Sequence, residues 1–176
     1  MGLDMYLEKK VYVGNNYKKG DEVKKFNVEG VNDKKVTYIN EEVAYWRKAN
    51  AIHNWFVKNV QDGVDECQNS YVSAEQLKEL LDTCKAVLKG SELVEGKVSN
   101  GYTYNDKNER VYNYNDGKVI RDTSIAEELL PTGSGFFFGS TEYDEYYYND
   151  IKYTVEMLEE ILKGDLSDSF YYQASW

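Results

Sequence analysis

Apolar side chains recur along this chain with two different periods, and the switches between them divide it into elements. Leu3, Met5 and Leu7 take alternate positions in a stretch that runs to Val13, the period of a strand with one face buried. Residues 23–28 and 36–39 are short strand candidates, and Gly30-Val31-Asn32-Asp33 between them predicts a hairpin turn. From Glu41 the period lengthens. Val43, Trp46, Asn50, His53, Val57 and Val60 fall at steps of three and four, with Ala49 and Phe56 alongside, and predict one helix ending near Gly63. Ser73 with Gln76 is a capping-box pair, after which Leu77, Leu80, Leu81, Cys84, Val87 and Leu88 form the stripe of a second helix stopped by Gly90.

From Ser91 to Asp122 the pattern is strand and turn: Asn100-Gly101 and Asp116-Gly117 predict two tight hairpin turns among Tyr102, Tyr104, Val111, Tyr112, Tyr114, Val119 and Ile120. Ile125 to Leu130 reads as a short helical turn that Pro131 stops. Phe136-Phe137-Phe138, bounded by glycines, predicts a strand buried on both faces at the centre of the sheet. A last helix spans Asp144 to Lys163 with Tyr147, Ile151, Val155, Leu158 and Leu162 inward, and the tail that ends in Trp176 is too aromatic to be idle. The expected fold is α+β. About three helices pack on a mostly antiparallel sheet, in a single domain over residues 1–176 with a projecting hairpin region at 91–122.

Charge narrows the partners. The 176 residues carry 21 Lys+Arg against 31 Asp+Glu, a formal net charge of −10, and a field of that sign disfavours direct nucleic-acid and membrane partners. Residues 1–60 nevertheless hold 11 basic and 8 acidic side chains, so an anion site should draw on the first third. An acidic decoy surface would draw on Glu142, Asp144, Glu145, Asp150, Glu156, Glu159 and Glu160. Two cysteines and one histidine make a structural metal unexpected, and no cofactor is implied. Without a leader-like start or a long apolar run, the expectation is a cytoplasmic protein with Cys67 and Cys84 reduced.

The densest chemistry lies in Tyr45-Trp46-Arg47-Lys48-Ala49-Asn50-Ala51-Ile52-His53-Asn54-Trp55. On one reading Trp46 and His53 are core and the cations are solvated. On the other, Arg47 and Lys48 clamp a phosphate or carboxylate, the Asn50 and Asn54 amides meet base or ribose edges, Trp or Tyr side chains such as Tyr45 stack, and His53 joins the same ligand-binding set. Thr132-Gly133-Ser134-Gly135 and Gly139-Ser140-Thr141 are hydroxyl and glycine clusters able to cradle an anion. The simpler reading is that the glycines turn the chain and Ser140 or Thr141 caps the last helix. Neither cluster is a Walker A loop or a nucleophile elbow. A Cys67–His53 pair would need tertiary structure to form, and Asp62, Asp65 and Glu66 lack EF-hand spacing. No motif demands an enzyme.

Several blocks together resemble a family of small uncharacterised phage and prophage proteins: the opening Gly-Leu-Asp-Met-Tyr-Leu, the Tyr45 to Phe56 run, Asp62-Gly63-Val64-Asp65 with Cys67, and Leu129 to Thr141 with Tyr143-Asp144-Glu145. The resemblance implies a viral origin and marks residues 91–122 as an insertion. It favours a role against bacterial defence inside the infected host cell, by sequestering a nucleotide-derived immune signal. The alternative is an acidic inhibitor, a DNA mimic or steric plug, of a host defence protein such as a CRISPR nuclease. A nucleotide-acting enzyme is the third reading, and a homo-oligomer sharing a pocket is compatible with the first.

Overall fold

The computed structural model describes residues 2–14, 28–32, 35–135, 137–164 and 166–176. Among them the fold is α+β, with four helices and two antiparallel sheets, one of four strands and one of two. In the larger sheet β1 (Asp4–Tyr12) lies between β2 (Tyr38–Arg47) and β6 (Ser169–Ser175), and β3 (Ser70–Val72) pairs with the far side of β6. The aromatic tail is therefore an interior strand. Its register sets Trp46, Met5 and Ala174 in one cross-strand row and Ala44, Leu7 and Tyr172 in the next, all buried. This face joins the helices in one core, where Phe56 of α1 (Asn50–Val60) stacks on Tyr172 with ring centroids 3.9 Å apart.

The remaining helices are α2 (Ala74–Gly90), α3 (Ser124–Leu129) and α4 (Glu145–Ile161). The capping box of α2 forms: Gln76 N–H donates to Ser73 Oγ at 3.2 Å, and Ser73 N–H donates to Gln76 Oε1 at 3.0 Å. Helix α4 is capped by Asp144, whose Oδ1 accepts from the Tyr146 and Tyr147 N–H groups, and not by Ser140 or Thr141.

Three expectations are corrected. The helix foreseen from Glu41 begins only at Asn50, because residues up to Arg47 extend β2 along β1. Residues 46, 49 and 50 satisfied both periods across the corner where Lys48 turns the backbone with φ 60. Second, Phe137 and Phe138 lie in a turn and not in a central strand, while Phe136 is outside the described residues. Phe138 instead packs edge-on against His53 and near Trp176. Third, the tyrosine-rich region is one long hairpin, β4 (Leu93–Tyr104) with β5 (Arg110–Ile120). Its turn is organised by Asn105, whose Oδ1 accepts from the Lys107 and Glu109 N–H groups. Gly101, at φ 78, serves a bulge between Ser99 and Tyr102, and Gly117 pairs with Gly96 in mid-strand. Of the hairpin expected over 23–39, residues 23–27 and 33–34 lie outside the described residues; within the rest, Val31 N–H donates to Val28 O at 3.1 Å, and Tyr38 and Ile39 already belong to β2.

Because alternate residues of β2 face opposite ways, Trp46→Ala and Arg47→Ala should differ sharply in stability. Trp46 is 2% exposed and donates its indole N–H to Thr154 Oγ1, so its truncation should cost about 3–5 kcal/mol in urea denaturation. The Arg47 side chain is 63% exposed, and its truncation should stay within about 0.5 kcal/mol.

Candidate functional site

Asn50, the first residue of α1, ties the segment after Pro131 to the helix. Its buried amide donates to Phe138 O at 2.9 Å and Ser140 O at 2.7 Å, while Oδ1 accepts from Gly133 N–H at 3.1 Å. Both amide hydrogens are consumed in holding this loop, so Asn50 builds the site and has no donor left for a ligand. Thr132 adds a second tie, donating its hydroxyl to Thr141 O at 3.0 Å.

The loop closes a cavity of about 420 Å³ between the end of β2, the start of α1 and the start of α4. One side carries the cations. Arg47 lies 3.9 Å by its Nε from Asp4 Oδ1, and the Lys48 ammonium meets no carboxylate among the described residues. Beside them α1 begins at Asn50, after an Ala49 that offers no side-chain cap, so the N–H groups of its first turn, those of Ala51 and Ile52 in the cavity wall included, face no capping side chain. Gly139 lets the loop pass the Lys48 stem closely: its φ is 87, and a Cβ there would lie 3.3 Å from Lys48 Cβ.

The opposite side carries carboxyl groups. Asp144 is 1% exposed, and while Oδ1 caps α4, the buried Oδ2 meets no hydrogen-bond donor among the described residues. Burial pushes its pKa up, against the lowering effect of the two cap N–H groups. Asp150, one helical stretch further on, is pushed up to about 7, first by burial and then by the Asp144 charge. Tyr146, Tyr147 and Glu142 complete this wall. The cavity thus sets cations and a helix start against two carboxyls whose proton affinity burial raises, an arrangement that can hold a molecule with an anionic group at one end and hydrogen-bond donors at the other.

A second, wider groove of about 730 Å³ lies on the other side of the loop, against Tyr102, Tyr112 and Tyr114 of the hairpin. Lys48, Gly139, Ser140 and Glu142 belong to the walls of both.

Of the residues singled out from the sequence, Arg47, Lys48, Asn50, Thr132, Gly139 and Ser140 line the first cavity, and Thr141 lines the groove. Four lie elsewhere. Tyr45 is on the far face of the sheet, where its hydroxyl donates to Asp4 Oδ1 at 2.5 Å. His53 is buried, with Nδ1 2.8 Å from the Tyr172 hydroxyl and Nε2 2.9 Å from Asp65 Oδ2, so neither nitrogen is free to activate Cys67. Asn54 donates to Pro131 O at 3.2 Å, and Ser134 is exposed beside neither cavity. Conversely, Asp144 and Asp150 were placed on an acidic surface, yet the fold withdraws both into the cavity wall. An Asp directly before the Tyr147/Ile151 stripe is itself an N-cap signal that could have found Asp144. Among the described residues no group of three or more His, Cys, Asp or Glu is placed to hold a metal ion, and no helix is long and apolar enough to cross a membrane.

Two measurements test this geometry. Asn50→Asp, which cannot donate to Phe138 O and Ser140 O, should lose at least about 2 kcal/mol of stability, since each buried group left unpaired costs about 1–3 kcal/mol. Asp150 binds its proton more tightly folded than unfolded, so its burial costs nothing below the ordinary aspartate range. Stability then falls as pH rises toward about 7, and the full penalty is present above it. Asp150→Asn should accordingly be more stable than the native chain at pH 8, by up to about 4 kcal/mol, with the difference closing as pH falls from 7 to 4 in urea titrations.

No family model, curated protein or solved structure matches this chain, and the site's own geometry carries the functional reading.

Proposed function

We propose that the protein is a binding protein that captures a nucleotide derivative in the 420 Å³ cavity and holds it unchanged. The observation that carries this reading is the opposition of the two walls. Arg47, Lys48 and the uncapped start of α1 suit a phosphate, and on the opposite wall the buried, unpaired Oδ2 of Asp144 lacks a donor that an amino or imino group on a base edge would supply. A cavity of that size falls in the range of small-molecule sites. With the phage resemblance, the role proposed is sequestration of a nucleotide-derived defence signal within the infected bacterial cell.

The acidic-inhibitor alternative draws on a surface that this fold reduces. Asp144 is withdrawn from it, Glu145 accepts from Lys118 N–H, and Glu159 pairs with Lys85 at 2.6 Å. The enzyme alternative has no reactive thiol at the cavity, since Cys84 is in the core with its pKa pushed up to about 12 by burial. A carboxyl with a pKa near 7 is, however, suited to general base work, so the test includes the fate of the ligand.

Calorimetry of the full chain with guanosine 5′-monophosphate, whose base edge offers two adjacent donors, should show binding, and mass spectrometry should recover the nucleotide intact. Asp144→Asn preserves a good N-cap residue, and Lys48→Ala removes a cation that makes no ion pair among the described residues. Each should weaken binding about 10–100-fold while leaving the melting temperature in place. Absence of binding, or equal binding by both variants, overturns the assignment, and a converted nucleotide makes the protein an enzyme.

A further inference from the structure

We infer that the captured ligand is a dinucleotide, with its first base in the cavity beside Asp144, its linking phosphate at Lys48, and its second base against Tyr112 and Tyr114 in the groove. The inference rests on the reading of the first cavity as a nucleotide site, and deepens it by naming the ligand class.

The two chambers share a wall. Lys48, Gly139, Ser140 and Glu142 belong to both linings, so a molecule that fills the 420 Å³ cavity and extends past the loop enters the 730 Å³ groove. Lys48 is the one cation common to the two. It is held in place: its backbone N–H donates to Leu3 O at 2.8 Å, its carbonyl accepts from Asn50 N–H at 2.8 Å, and its stem passes Gly2 and Gly139. With its backbone and stem so placed, an ammonium that makes no ion pair among the described residues and lines both chambers is where the charge of a linking phosphate gains most. Glu142 lines both chambers as well, and its charge disfavours a di- or triphosphate chain there relative to a single phosphate charge.

The groove supplies a different chemistry. Tyr102, Tyr104, Tyr112 and Tyr114 occupy alternate positions of two paired strands, with Tyr102 opposite Tyr112, so the four rings share one face of the hairpin. They remain 47%, 57%, 53% and 50% exposed. Tyr102 is engaged by Tyr104, Tyr112 and the Arg110 guanidinium 4.8 Å from its centroid. The ring of Tyr114 has no such partner among the described residues. Exposed tyrosines along one wall, with hydroxyls at Ser99 and Thr141 around them, make a stacking platform for a base, and stacking tolerates any base because every base has a π-face. Joining two weakly held bases through one phosphate turns the second contact into an intramolecular one and raises affinity without further contacts.

The test compares two probes on the full chain by calorimetry: guanosine 5′-monophosphate and the linear dinucleotide pGpG. The dinucleotide should bind one per chain and at least about tenfold tighter than the mononucleotide, the size of one base stacked on an aromatic ring. Tyr114→Ala should remove that gain and leave mononucleotide affinity unchanged, while Tyr45→Ala, on the far face of the sheet, should change neither. Should Tyr114→Ala lower the melting temperature, Tyr112→Ala carries the same comparison. If pGpG binds no tighter than the mononucleotide, or if its advantage survives both tyrosine substitutions, the dinucleotide assignment is wrong while the cavity remains a nucleotide site. If neither probe binds, both readings fall together.

Discussion

The amide of Asn50 is the constraint from which the rest of the site follows. A segment such as 131–143, whose described residues form no helix or strand, would ordinarily carry backbone groups that only water can satisfy. Here a single buried side chain at the head of α1 accepts from Gly133 and donates to Phe138 and Ser140, and so fixes the loop at three points. The position of Gly139 against Lys48, the wall common to cavity and groove, and the turn that feeds Asp144 into its cap all depend on that anchorage. The N-cap position before Asn50 is held by Ala49, whose methyl cannot cap, and the helix start is left uncapped beside the cations.

Electrostatics reinforces the division of labour. A chain of net charge −10 is a poor collector of anions in its long-range field, so the proposed capture of a phosphate would rely on contacts within about a Debye length. The cations at the cavity, Arg47 and Lys48, come from the first sixty residues, which are net basic. The carboxyls opposite are not ordinary surface acids. Burial raises the proton affinity of both Asp144 and Asp150, and for Asp150, pushed up to about 7, this costs the folded chain stability at neutral pH. A stability cost concentrated in a cavity wall is what a site maintained for binding, and not for packing, is expected to show.

Much of the fold was legible, because several elements are written in local signals. The α2 stripe with its Ser73/Gln76 box, the alternation of Leu3, Met5 and Leu7, and the last helix all rest on contacts between residues close in sequence. The misreadings share a physical cause. Val43 to Asn50 fits a helical and a strand period about equally, and it is pairing with β1, over thirty residues away, that decides for the strand. Asn100-Gly101 was read as a turn because the left-handed backbone that a turn needs is also what a bulge needs. Three consecutive phenylalanines suggested a strand buried on both faces, yet Phe138 finds burial between His53 and Trp176 without any strand hydrogen bonds. At the site, the cations and the small hydroxyl residues were visible as chemistry. The carboxyls were not, since in so acidic a chain only the tertiary fold distinguishes the buried Asp144 and the half-buried Asp150 from the solvated acids around them.

The order of strands explains why the site is all or nothing. β1 and β6 are neighbours in the sheet although they come from opposite ends of the sequence, and Tyr172 of β6 reaches back to Phe56 and His53 of α1. Contacts of such sequence separation pay their loop-closure entropy before they are rewarded. The same closure brings Lys48, near the end of β2, against Gly139 and Ser140, and brings the Asp144 cap beneath the start of α1. No sequence-local fragment contains both walls of the cavity. Arg47 and Lys48 alone are two solvated cations on a strand end, and Asp144 and Asp150 alone are two acids on an amphipathic helix. The opposition between them, on which any recognition of a ligand with a phosphate and a base depends, exists only once the last strand is paired.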